Sequence, residues 1–396
     1  MKDYEILKNY CKKIFLFGSG NYWYEDGAIG DDSSWYYQLY LWSLIFIYVL
    51  MTIFETMAVT IGDYPENETG DAITLAVSHT IVLLKIFSLL INKKLIRTTN
   101  RNMVEICEAY EDPTLMAEKY KYVKINVMGY FGIVYCTCLF YVVEGIRKVY
   151  AGSHFETVVT YPPSYVDESL FAGLIRVSTT IVLLIMMITM IVAVDTFTMA
   201  YLIMFKYKFI TLRHYLERLS EDFYKMNDVN PRLAADKLTD GVVEGIIMHK
   251  ELLRLAKDID QAFGTVIALQ LCLSSGSAVT LLLQIALTPM TFVAILKNIL
   301  FVVALFFLLG LFLCNAGEIT YQASLLPDAL FYCGWHACVW QPPRRSVRRL
   351  VLLACAQAQQ PLVMKAFKMI QLSYSTFLQV LRGTYSVFAL FYAQTK

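Results

Sequence analysis

Lys85 and Asp195 each stand inside an otherwise apolar stretch of this sequence, in the same half of their stretches, where an ion pair between them is feasible. A charged side chain within a bilayer costs about 2.5–3.5 kcal/mol on insertion scales, so each such residue calls for a partner or a function. Glu144, Arg176 and Lys297 sit nearer the opposite ends of theirs, where a long side chain can keep its charge in water. His79 is open to two readings, contact with a ligand or hydrogen bonding inside a helix bundle. Cys333, His336 and Cys338 crowd into one place with no second ligand pair at zinc-site spacing, which argues against a metal. The chain has no phosphate-binding glycine loop, no G-x-S-x-G and no H-E-x-x-H, so no enzyme is indicated and no cofactor is called for.

The elements that must position these residues follow from composition. With 57% hydrophobic and 17% charged residues, the 396-residue chain lies well to the apolar side of soluble domains. Its apolar residues come in blocks long enough to cross a bilayer, separated by charged segments. The spans read as Tyr36–Val59, Ala72–Ile91, Ile125–Val143, Leu170–Met204, Phe263–Leu287, Phe292–Asn315 and Ser373–Ala393, an all-α membrane protein of seven helices. The first 35 residues contain no short apolar core with a cleavage site, so the first span is expected to insert uncleaved. A net charge of +1 without a long basic run argues against nucleic acid as a partner. The nine cysteines fall in spans or in segments expected inside, which leaves none for an extracellular disulfide framework.

With the N-terminus inside, the inner segments carry 26 Lys and Arg and the outer segments 3, so the positive-inside rule predicts a cytoplasmic N-terminus and an extracellular C-terminus. The sequon at Asn67 falls in the first outer loop under that orientation, where glycosylation could occur. The inner segments are long and helix-compatible. Leu212, Leu216, Leu219 and Phe223 recur at helical spacing among charges, an amphipathic continuation of the fourth span that breaks at Asn227–Pro231.

The most specific pattern is C-terminal. Gly317-Glu318 is followed by Tyr332 and Trp335, a basic turn around Pro343-Arg344-Arg345, an apolar Leu350–Ala358 stretch ending near Pro361, and finally Gly383-Thr384-Tyr385-Ser386-Val387-Phe388-Ala389-Leu390. This resembles the end of insect odorant receptors, and chain length, span number and loop shapes extend the resemblance over essentially the whole chain. Gustatory receptors, the sister family, carry Gln where Phe391 stands here. The 205–261 segment lacks the co-receptor's long insertion, so the likeness is to a ligand-tuning subunit.

The resemblance implies an odorant-binding subunit of a ligand-gated, non-selective cation channel, assembled with the family's co-receptor as a hetero-oligomer, expected to be a tetramer, in the plasma membrane of olfactory neurons. The alternatives are a gustatory receptor channel and a seven-helix receptor or transporter without its own pore. Residues 1–35 would be a cytoplasmic segment, 36–315 the first six helices with the ligand pocket, 316–372 a cytoplasmic anchor including the first half of helix seven, and 373–396 the pore-lining half. Thr384, Phe388, Phe391 and Tyr392 would line the pore, with Phe388 as gate, because apolar rings close a channel by dewetting while hydroxyls wet its vestibules; packing against neighbouring helices is the other reading of these aromatics. An apolar volatile requires a concave, mostly apolar cavity. It is expected in the outer half of the bundle, among Val77, Ser78 and Ile81 of span two, Val134, Cys138 and Tyr141 of span three, Phe171, Ile175 and Ser178 of span four, and Ile295, Asn298 and Val302 of span six.

Overall fold

A computed structural model describes residues 3–61, 66–150, 170–338 and 347–395. The helices in chain order are α1 (Asp3–Leu16), α2 (Trp35–Ile61), α3 (Glu66–Ile91), α4 (Lys93–Glu105), α5 (Pro113–Tyr150), α6 (Leu170–Asn227), α7 (Pro231–Leu287), α8 (Phe292–Ser324), α9 (Leu326–Phe331), α10 (Val347–Ala358) and α11 (Tyr374–Thr395). Two short strands, β1 (Lys365–Ala366) and β2 (Ile370–Gln371), pair between the last two helices. Six helices, α2, α3, α5, α6, α7 and α8, are long and apolar enough to cross a membrane. The seventh, α11, has 22 residues, about 33 Å at helical rise, but Gln379, Arg382 and Gln394 make it more polar.

The spanning helices run on past the bilayer. At 58 residues α6 is about 87 Å long, nearly three times the hydrocarbon thickness, and α7 is almost its equal. The expected break between them is a tight turn: Pro231 occupies the first turn of α7, and the Asn230 side chain accepts from Leu233 N at 3.1 Å. Past the turn the two helices cross closely at Gly241, where an added Cβ would come within 2.5 Å of Leu219 Cδ1. From residue 192 to 212 nearly every α6 side chain is buried, because α1, α5, α7 and α8 all pack around it.

These extensions form a layer at one end of the bundle, with α1, α4, α9, α10 and the hairpin. Residues 3–35 are a folded part of that layer, since Ile6, Leu7, Cys11 and Ile14 of α1 are buried and Tyr22 and Trp23 are fully enclosed. A buried cluster of charges fastens α1: Lys208 Nζ lies 2.9 Å from Asp3 and 2.8 Å from Glu111, and Lys119 pairs with Asp3. Burial alone would raise the Asp3 carboxyl, yet Lys208 and Lys119 hold it well below the usual carboxylate range. Burial, together with the neighbouring Asp3, pushes Glu111 up to about 7.

The C-terminal stretch carries a feature that the Pro361 break did not signal. Phe367 and Lys368 both take left-handed φ values, 49° and 61°, and turn the chain so that Lys365 faces Gln371. The hairpin sits on α7 at Gly264, whose missing Cβ would lie 3.0 Å from Lys365 O. It thereby fixes where α11 starts.

Candidate ligand cavity

Five helices each offer one stripe to a cavity of about 120 Å³ in the middle of the bundle. On α3, Leu75, Ser78, His79 and Val82 follow the i, i+3, i+4, i+7 spacing of a single helical face. Tyr130, Val134, Thr137, Cys138 and Tyr141 do the same on α5, and Leu184, Ile188, Ile191 and Asp195 on α6. The walls close with Gln270 and Leu273 of α7 and with Phe301, Ala304, Leu305 and Leu308 of α8. The lining is mostly apolar, and its size is close to that of an engineered cavity of about 150 Å³ that binds benzene.

Apart from the hydroxyls of Ser78 and Thr137, which are bonded to their own helices, the polar groups lie in three places. One is a network that ties the helices together at the cavity wall. Lys85 Nζ lies 2.9 Å from Asp195 Oδ1 and donates to Gln270 Oε1 at 2.5 Å, and Tyr130 OH donates to Asp195 Oδ2 at 2.9 Å. Gln270 Nε2 then donates to Ser274 Oγ, which donates to the Leu305 carbonyl. The ion pair that the sequence made feasible thus joins α3 to α6, with α5, α7 and α8 attached through its neighbours. Lys85 and Asp195 are each only 1% exposed, so their charges are compensated entirely by protein.

The second place is where α2 meets α3. His79 Nδ1 lies 2.7 and 2.9 Å from the two carboxylate oxygens of Glu55, which is fully buried. The third is beside Tyr141. Lys297 Nζ is 4.7 Å from the centre of the Tyr141 ring and 2.5 Å from Asp71 Oδ2, while Phe301 meets that ring edge-on at 5.8 Å. Lys297 is buried, so it is an interior ion pair rather than a side chain reaching for water, because Asp71 comes to it. Glu144 is also buried and is held by Arg147, 2.7 Å away.

Of the residues expected to face a ligand, the structure brings Ser78, Val134, Cys138 and Tyr141 together on the cavity wall. Val77 lies on the other side of α3 and is 45% exposed. Ile81 and Val302 pack on the small cluster of Leu273, Leu281 and Leu305 beside the cavity. Ser178 is exposed, and the α6 stripe begins six residues further on at Leu184, about 9 Å deeper. Ile295 is half-buried away from the cavity, and Asn298 turns to α7 to donate to Gln284 Oε1 at 3.0 Å. The side chains of Phe171, Ile175, Arg176 and Asn67 lie outside the described residues. Glu55, Tyr130 and Gln270 escaped the sequence reading, although a lone acid in the first apolar span was a signal for Glu55.

On α11, Thr384, Phe388, Phe391 and Tyr392 fall along one broad stripe. Thr384 is buried, Phe388 stacks on Tyr392 with centroids 5.9 Å apart, and Phe391 is 48% exposed. Tyr385 and Leu390 are more exposed still. The helix is seated on α8 by aromatic side chains placed at glycines: an added Cβ at Gly310 would lie 3.3 Å from Phe377, and one at Gly317 would lie 3.0 Å from Tyr374. Another face of α8 lines the cavity, so one helix touches both the cavity and α11.

A sequence model described as 7tm Odorant receptor matches residues 67–385. No curated protein matches the chain. Among solved structures, the insect olfactory receptor OR5 from Machilis hrabei superposes with a TM-score of 0.77 at 15% identity, covering 98% of this chain and 99% of that one. The same receptor in complex with eugenol gives 0.75 at 14% identity over the full length of both chains. At such identity the likeness establishes the fold, an all-α membrane architecture of seven helices.

Proposed function

We propose that this chain, which belongs to the odorant receptor family, is the odorant-binding subunit of a ligand-gated, non-selective cation channel that opens with the family's co-receptor. The observation that carries the reading is the cavity of about 120 Å³, mostly apolar and surrounded by membrane helices, which suits a small volatile molecule. That the Machilis receptor of the same fold is described in complex with eugenol supports a ligand of this kind.

Ligand binding would act through α8, whose cavity face carries Phe301 and Leu308 and whose other face receives Phe377 and Tyr374 of α11. Thr384, Phe388, Phe391 and Tyr392 would line the pore, and the exposed Tyr385 and Leu390 would meet neighbouring subunits. Residues 316–372 would form the cytoplasmic anchor of the assembly. The strong excess of Lys and Arg in the inner segments supports a cytoplasmic N-terminus in the plasma membrane. The absence of a long insertion in 205–261 supports a tuning subunit rather than the co-receptor.

Co-expression with an insect odorant co-receptor, with cation currents recorded across a panel of small volatiles, tests the reading. Currents that need both chains and follow a reproducible rank order of ligands are expected. A chain that reaches the cell surface with the co-receptor and conducts under no volatile would refute it.

A further inference from the structure

Accounting for every proton on the cavity wall identifies what a ligand must bring. Ser78 donates to the Thr74 carbonyl and Thr137 to the Ile133 carbonyl, so both hydroxyl protons are taken by their own helices. Tyr130 donates to Asp195, whose two oxygens are occupied by Tyr130 and Lys85. The Gln270 amide is engaged at both ends. Tyr141 OH is buried with no hydrogen-bond partner among the described residues, and Cys138 adds only a weak S–H.

His79 has one nitrogen committed. Its Nδ1 faces Glu55, which is not on the cavity wall, while the residue itself lines the cavity, which leaves Nε2 as the ring nitrogen open to a ligand. The protonation of Nε2 follows from charge. Glu55 is fully buried and has His79 as its only described ion-pair partner. An uncompensated charge there is far costlier than a neutral pair. A neutral pair holds two protons, and there are two ways to place them. Either the imidazolium donates from Nδ1 to the carboxylate, or a carboxylic acid donates to Nδ1 of a neutral ring. In both arrangements the second proton is on Nε2. Only the net-negative pair would leave a lone pair there.

We propose that the cavity selects small volatiles bearing a hydrogen-bond acceptor, such as a ketone, aldehyde or ester carbonyl, and that His79 is the specificity-determining donor, held in that role by Glu55. The inference rests on the odorant-channel reading. Acceptor-bearing ligands gain a bond to a buried donor, whereas hydrocarbons of the same shape leave it unmade. The volume fits roughly six heavy atoms, by comparison with benzene in a slightly larger cavity.

The test compares shape-matched pairs in which only the acceptor changes: cyclopentanone against methylenecyclopentane, and cyclohexanone against methylenecyclohexane. They are applied within a wider volatile panel to cells expressing the chain with the co-receptor. Each ketone should be roughly tenfold more potent than its alkene, the size expected for one hydrogen bond from a buried donor. In the double variant Glu55→Leu/His79→Leu, which removes both ionisable groups together, that ratio should fall at least twofold, to the residual preference that the Tyr141 hydroxyl supplies, the ratio being read whatever the alkenes' own potency becomes. Equal potencies in the native receptor, or a ketone preference undiminished in the double variant, overturn the inference and leave the channel reading standing. If the double variant fails to reach the surface, the ratio is read in Tyr141→Phe, where a ketone preference that vanishes altogether would overturn the role of His79. A surface-expressed chain that answers no volatile in the panel refutes the channel reading, and the inference falls with it.

Discussion

Removing Lys85 should damage this protein more than removing Lys85 and Asp195 together. In Lys85→Met the Asp195 carboxylate stays in a fully buried site without its cation, a loss of about 3–5 kcal/mol. Gln270 Oε1 also loses its donor, which adds about 1–3 kcal/mol. Asp195→Leu does the mirror image, stranding the ammonium and leaving Tyr130 OH without its acceptor. Each single change therefore costs about 4–8 kcal/mol, comparable with the whole stability of an ordinary domain. In Lys85→Met/Asp195→Leu both charges are gone and only two neutral groups are left unpaired, about 2–6 kcal/mol in total. The assay is thermal loss of the monodisperse species in detergent, with surface expression beside it. The double variant should melt at or above either single and regain surface expression that the singles lose. A double variant whose loss equals the sum of the two singles would show that the residues do not act as a pair, and the reasoning about the cavity network would be wrong.

Tyr141→Phe keeps the ring on Phe301 and Lys297 but deletes the hydroxyl, so potency for acceptor-bearing odorants should fall about fivefold with cation permeability unchanged, whereas Phe388→Ala should alter basal current or permeability and leave odorant rank order intact; crossed phenotypes would overturn both assignments. Glu111, pushed up to about 7, keeps in the folded state a proton that the unfolded chain releases near its ordinary value, so its contribution is full below that value and is lost as pH rises through about 7. Asp3 has the opposite sign and matters only below the ordinary carboxylate range, so melting temperature should fall from about pH 5 to pH 8, and Glu111→Gln should flatten that slope. An epitope at the N-terminus should stain only permeabilised cells and one after Lys396 should stain intact cells, with a glycosidase-sensitive mass shift abolished by Asn67→Gln; the reverse staining would invert the proposed orientation.

The spans were legible because a bilayer imposes one requirement, about 20 apolar residues, and α2, α3, α5, α6, α7 and α8 meet it by composition alone. The break at Asn227–Pro231 was legible for a local reason as well, since Asn and Pro act within a turn. The cavity was less so. Its wall depends on how five helices are rotated and how deep they sit, and a helix with lipid on one side and an apolar core on the other carries little contrast between its faces to reveal that rotation. Val77 and Ser78 are neighbours in sequence, yet one is half-exposed and the other lines the cavity. Lys85 and Asp195 announced themselves because charge in an apolar span needs a partner, while Gln270 and Tyr130, uncharged members of the same network, did not. The N-terminal segment is easily undervalued: its mixed polarity hides a helix whose buried face, from Ile6 to Ile14, is a short amphipathic stripe.

The intramembrane charge pairs also set a timetable for biogenesis. Glu55 and His79 are 24 residues apart on adjacent spans, so α2 and α3 can enter the bilayer as a hairpin that satisfies itself. Lys85 enters with the same hairpin, but Asp195 lies 110 residues downstream and reaches it about 5–20 s later at ordinary elongation rates. Asp71 waits longer, for Lys297 is 226 residues on. During those intervals the nascent receptor presents an unmatched lysine and an unmatched aspartate to the insertion machinery. Helix order along the chain thus leaves these charges uncompensated in the early product until α6 and then α8 have been delivered.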